Sequence, residues 1–278
     1  MTREFSLAHL TVLALPPAEM IDVAARAGYD YVGLRLNRVT PTEVLYNLIE
    51  DRALLRETQS RLSDTGVRVL DVELARMDPT HDAQSFLPLL ETAAALGARH
   101  IITQLPDPDR ARALDRFATI CDLAAPLNLA IDLEFPSWID VGSLAAAADV
   151  LRAVDKPNAG ILVDTLHFDR SNSSLDELRA LPRRWFRYAH LCDAPAEKPT
   201  TLDGLLFTAR AERMFPGEGG IDIRSILACL PEGIPYALEI PGNALVAKVG
   251  LAEYARLTLQ RTREYLDAVA AAGAQAHH

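Results

Sequence analysis

Read for its hydrophobic period, the chain alternates between two textures. Short apolar runs such as "SLAHLTVLAL", "YDYVGLRL" and "VRVLDVELARM" predict strands. Longer amphipathic stretches such as "PPAEMIDVAARAG" and "DPDRARALDRFATICDLAAPL" predict helices. "RHIITQL", "NLAIDLEF", "NAGILVD", "WFRYAHLCD" and "IPYALEI" continue the strand series. "TPTEVLYNLIEDRALLRETQSRLSDTG" reads as one long helix, capped by Thr40 or Thr42 and stopped by Gly66. Gly28 and Gly97 close two others. Eight strands alternating with eight helices predict parallel strands joined by right-handed crossovers. Eight such units in 278 residues predict an α/β chain folded as a single (β/α)8 barrel over residues 1–278. An open doubly wound sheet is the alternative, but no GxGxxG follows the first strand, so no dinucleotide site is expected. Residues 194–220 form an enlarged segment after strand seven, expected to lie as a loop over the rim. Residues 272–278 are expected to be a frayed tail.

Barrel strands are covered on both faces and should be apolar throughout. Four successive strands break that rule near their carboxyl ends, with Glu134, Asp164, His190 and Glu239. Alternation along "AIDLEF" puts Ile131, Leu133 and Phe135 on one face and Asp132 and Glu134 on the other. The apolar set belongs against the helices, which turns the acids inward. Taken singly, each carboxylate reads equally well as a helix cap or an arginine partner. The conjunction on one rim points instead to a divalent cation, Mn²⁺, Mg²⁺, Co²⁺ or Zn²⁺, held by one imidazole and three carboxylates that would otherwise repel. Asp71 and Glu73 also face inward, either as supports of the ligands and contacts to substrate or, the preferred reading, as partners of Arg68 or Arg76. Arg35, at the end of "VGLRL", is free to meet a carboxylate-bearing substrate or to pair with Glu73. Trp138 reads as an apolar wall of the site or as rim packing. His9, His81 and His100 are read as structural or surface groups.

A net charge of −10 leaves no basic footprint for nucleic acid. Cys121, Cys192 and Cys229 form no CxxC pair and suit a reducing compartment. No apolar stretch approaches the ~20 residues of a membrane span, and the opening "MTREFSLAHLTV" has no signal-type core, so a cytoplasmic setting without membrane partners is expected. The oligomeric state, including a homo-oligomer, stays open.

With "DLEF", "VDTLHF", "AHLCD", "FPGEGGID" and "ALEI" in place, the whole chain resembles the xylose isomerase-like TIM barrels, also called the sugar phosphate isomerase/epimerase or AP-endonuclease-2 superfamily. The resemblance implies metal ligation by Glu134, Asp164, His190 and Glu239. It also implies substrate contact by His167 of D-T-x-H and by an arginine between H-x-x-D and P-G-x-G, here Arg210 or Arg213. The enlarged segment departs from the family pattern at that arginine. The nucleic-acid branch is disfavoured, because "ERMF" stands where a D-R-H-type motif would precede "PGEGG". The implied activity is a divalent-metal-dependent isomerase or epimerase of a keto-sugar or related hydroxy-ketone, working by proton transfer through a metal-bound enediolate with Glu134 and Glu239 as acid and base. The alternative is a metal-dependent dehydratase of the inosose or 3-dehydroshikimate type. A non-catalytic metabolite-binding barrel is a third class, which the complete ligand set argues against.

Overall fold

A computed structural model describes residues 3–275. Its parallel strands are β1 (Phe5–Ala8), β2 (Tyr31–Arg35), β3 (Arg68–Arg76), β4 (His100–Gln104), β5 (Ala130–Leu133), β6 (Ala159–Ile161), β7 (Val163–Asp164), β8 (Ala189–Leu191) and β9 (Tyr236–Leu238). They join in the order β6-β5-β4-β3-β2-β1-β9-β8-β7. The two edges, β6 and β7, are parted by Leu162 alone, whose N–H donates to the Leu133 carbonyl across 3.1 Å. The predicted sixth strand is therefore present in two pieces, and the sheet curls into a nearly closed barrel of eight staves ringed by helices.

The predicted alternation holds. Ile131, Leu133 and Phe135 are buried in the large apolar layer that also takes in the helices. A smaller cluster of Tyr31, Leu70, Leu74, Ile102, Leu162, Tyr188 and Ala237 packs separately from it, on the other face of the strands. At the amino-terminal end of the strands, His100 Nδ1 lies 2.7 Å from Asp132 Oδ2, and Arg187 Nη1 donates to Asp132 Oδ1 across 3.1 Å. A Cβ on Gly160 would stand 2.2 Å from both Arg187 Nη1 and Asp132 Oδ1, so this ion pair requires glycine there.

Local capping moves several boundaries. The helix expected from residue 40 spans Arg52–Thr65, because Asp51 caps it by accepting from the N–H groups of Ala53 (2.9 Å) and Leu54 (3.0 Å). Residues 40–51 form rim structure instead, with Glu43 accepting from Val39 N–H at 2.8 Å. The third helix opens as a 3₁₀ turn, Ala83–Phe86, before Leu87–Ala95. The enlarged segment 194–220 is not a plain loop, since it contains the helix Leu202–Ala211 capped by Thr201. The final helix, Leu251–Gln275, runs on past residue 272, where a frayed tail was expected; residues 276–278 of that tail, His277 and His278 among them, lie outside the described residues.

Asp71 is fully buried inside the barrel, and neither carboxylate oxygen has a hydrogen-bond partner among the described residues. The expected pairing with Arg68 or Arg76 does not occur, because Arg68 reaches Glu4 at 2.8 Å instead. Burial pushes the Asp71 carboxyl up to about 7. A carboxyl raised above its unfolded value of about 3.9 contributes stability below that value, and the contribution fades as pH rises towards about 7. Asp71→Asn should therefore be more stable than the parent by an amount that grows between about pH 4 and pH 7, to at most about 4 kcal/mol. Urea unfolding at pH 4 and pH 8 checks this, and a difference that stays constant with pH contradicts it.

Candidate metal centre

Four side chains converge where β5, β7, β8 and β9 end. Glu134 follows β5, Asp164 closes β7, His190 lies in β8 and Glu239 follows β9. All four are buried, and one donor atom from each lies within 4.8 Å of the other three. His190 Nδ1 stands 3.5 Å from Glu239 Oε2, 3.7 Å from Asp164 Oδ2 and 3.9 Å from Glu134 Oε1. These separations are too long for hydrogen bonds. Neither ring nitrogen of His190 has a partner among the described residues. Donors sharing one ion at bonds of about 2.1 Å sit about 3.0–3.4 Å apart. An orphaned imidazole facing three carboxylate oxygens at slightly more than that spacing fits a divalent cation, and the oxygen-rich set suits the ions expected above.

The chain around each ligand explains its placement. Asp164 Oδ1 caps the short helix Thr165–Arg170, accepting from the N–H groups of Leu166 (2.7 Å) and His167 (3.2 Å). Its other oxygen faces His190 Nδ1 at 3.7 Å and is shared with Arg213. Thr165 Oγ1 donates to the Cys192 carbonyl at 2.7 Å and accepts from the Cys192 N–H at 3.0 Å, which ties β7 to β8. Asp193 accepts from the N–H groups of Ala194 (2.8 Å), Gly217, Gly219 and Ile221 (each 3.0 Å) and so folds "PGEGG" into a fixed turn. A Cβ on Gly219 would stand 2.4 Å from Asp193 Oδ1, so glycine is needed for that close approach. The turn is further held by paired backbone hydrogen bonds between Asp193 and Met214, 2.8 and 2.9 Å long, next to Arg213.

Arg213 occupies a more central place than substrate contact alone requires. Nη1 donates to Asp164 Oδ2 and lies 2.6 Å from it, and Nη2 lies 2.6 Å from Glu239 Oε2. One guanidinium thus offsets part of the charge of two of the three carboxylates, Asp164 and Glu239. Burial raises the Glu239 carboxyl, but Arg213 and His190 outweigh burial and bring it down to about 2. Asp164 is likewise held well below the carboxylate range by Arg213 and His167 despite its burial. Glu134 goes the other way, to about 8, through burial and the charge of Glu239. Burial brings His167 down to about 4 and keeps its ring neutral.

Arg35, Glu73, Gln104, Glu134, Trp138, His167, Arg210, Arg213 and Glu239 all line one cavity of about 50 Å³ above the centre. His167 Nε2 is 3.9 Å from Glu134 Oε1, and the Trp138 ring meets the His167 ring edge-on at 5.1 Å. Arg35 is not free: its guanidinium pairs with Glu73, with Nε 2.9 Å from Oε2, and its Nη1 lies 3.0 Å from Glu43. Two contributors escape sequence reasoning. Gln104 Nε2 donates to Glu134 Oε2 at 2.6 Å, and its only signal was a lone polar residue at a strand end. Glu43 lay inside the helix expected from residue 40.

The profile of the xylose isomerase-like TIM barrel family matches residues 21–265. An inosose isomerase of Bacillus licheniformis is 22% identical over 231 residues, 77% of this chain and 79% of that protein. A 3-dehydroshikimate dehydratase of Pseudomonas aeruginosa is 28% identical over 115 residues, 41% of this chain and 18% of that protein. A crystal structure of the IOLI protein with a bound zinc atom superposes with a TM-score of 0.76 at 18% identity, over 96% of this chain and 97% of that one. No helix among the described residues is long and apolar enough to cross a membrane.

Proposed function

The chain belongs to the xylose isomerase-like TIM barrel family, and from that premise we propose that it is a divalent-metal-dependent isomerase or epimerase of a hydroxy-ketone such as a keto-sugar. The observation that carries this reading is the buried three-carboxylate, one-imidazole set with its orphaned histidine, two of whose members, Glu134 and Glu239, also line the cavity. The IOLI protein, a chain of the same fold, binds a zinc atom, which supports a metal in this barrel. A divalent ion bound there would polarise a carbonyl and acidify the neighbouring C–H. The protein's own part is proton transfer and positioning. One glutamate takes the proton from the carbon beside the carbonyl, and the other returns a proton to that carbon or the next. Neutral His167 and Arg213 orient the substrate oxygens, and Trp138 forms the wall behind His167.

A dehydratase is the second reading, favoured by the similarity to 3-dehydroshikimate dehydratase and by cationic side chains at the cavity mouth. Incubation with Mn²⁺ and a panel of hydroxy-ketones in D₂O separates the two. Deuterium entering the α-carbon of recovered ketone supports the isomerase class. Loss of water with a new ultraviolet absorbance supports the dehydratase. Neither change with any ketone rejects both.

A further inference from the structure

The guanidinium groups around the cavity mouth divide into spent and unspent. Arg213 is held by Asp164 and Glu239, and Arg35 by Glu73 and Glu43. Arg210 lines the same cavity as Glu134 and Glu239, whereas Arg76, which ends β3 in register with Gln104, lines a neighbouring pocket with Asp78 and His81. Among the described residues neither Arg210 nor Arg76 makes a hydrogen bond or an ion pair, although both are half-buried. Arg35 and Arg76 both lie close enough to repel the charge on Arg210, and Glu43, already engaged with Arg35, is the acid that faces it. A half-buried guanidinium on the cavity wall that makes no ion pair, in a chain of net charge −10, needs a reason. A planar guanidinium fork matches a carboxylate, and an anion on the substrate supplies the missing partner.

We propose that Arg210, supported by Arg76, binds an anionic substituent of the substrate, so that the preferred hydroxy-ketone is a keto acid rather than a neutral sugar. This rests on the hydroxy-ketone reading above and narrows its substrate class. The reacting end faces Glu134 and Glu239, while the carboxylate points outward to the helix Leu202–Ala211 that carries Arg210.

Three-carbon probes are the smallest that carry both the hydroxy-ketone and an anionic substituent. Dihydroxyacetone, hydroxypyruvate and dihydroxyacetone phosphate share one hydroxy-ketone and differ in charge. Calorimetric binding to the Mn²⁺-loaded protein and α-deuterium exchange are measured for each. Hydroxypyruvate should bind at least tenfold more tightly than dihydroxyacetone, and Arg210→Gln should shrink that ratio to under threefold, with Arg210→Lys keeping most of it. Arg76→Gln should shrink it by a smaller factor. A stronger response to the phosphate than to hydroxypyruvate would overturn the keto-acid assignment in favour of a sugar phosphate. Equal binding of charged and neutral probes, or a ratio unmoved by Arg210→Gln, would overturn the anion site. Binding is read without turnover, so absence of exchange with every probe counts against the proposed chemistry, while the binding ratios still decide the anion site.

Discussion

Glu239→Gln should lower α-proton exchange by about a thousandfold, within the range that loss of a positioned acid or base produces. Glu239 holds two positions at once. Its carboxylate faces His190 Nδ1 at 3.5 Å and Arg213 Nη2 at 2.6 Å, and it also lines the cavity proposed for the substrate. The amide is of equal size and keeps one oxygen donor, so folding should survive and the ion should still bind, although more weakly. What it loses is the charge that accepts a proton. Rates measured at saturating Mn²⁺ separate the two effects, because an enzyme short only of metal regains its rate as the ion is added. Exchange within threefold of the parent at saturating metal would remove Glu239 from the chemistry.

Asp193→Ala should cost about 3–5 kcal/mol of stability and lower the melting temperature by about 10 °C. The Asp193 carboxylate is 1% exposed and accepts from four backbone N–H groups, those of Ala194, Gly217, Gly219 and Ile221. Alanine leaves these donors without an acceptor. The same turn places Met214 and hence Arg213, so activity should fall together with stability. Asp193→Asn, which retains one acceptor oxygen, should fall between the two. Calorimetric melting tests this, and a loss under 1 kcal/mol in the alanine variant would show that water satisfies the turn.

The sequence was most informative where chemistry coincides with local periodicity. Glu134, Asp164, His190 and Glu239 stand out because each interrupts an apolar run at a strand end, and the eightfold alternation tells which end is the rim. Gly28 and Gly66 mark helix ends because a left-handed residue (φ of 90° and 74°) stops the helix there. Pairings between distant segments leave no such mark. Alternation offers Glu73 as one partner for Arg35, but nothing near Arg35 says that Glu43 will hold it too, because that partner comes from a rim segment. The central place of Arg213 is hidden for a related reason. Its spacing suggests substrate contact, but the helix inside segment 194–220 and the Asp193 turn carry it across to Asp164 and Glu239. The late start of the second long helix was missed because residues 40–51 have helical composition, whereas Asp51 has the stronger capping geometry.

The proposed chemistry depends on one ion held by four staves of the barrel, and the most direct measurement is the stoichiometry and nitrogen coupling of Mn²⁺ in the loaded protein, by metal analysis and pulsed electron paramagnetic resonance. The structure predicts one Mn²⁺ per chain coupled to a single imidazole nitrogen, with the coupling lost in His190→Ala. Mn²⁺ that washes off on dialysis, or that binds without nitrogen coupling, would contradict it.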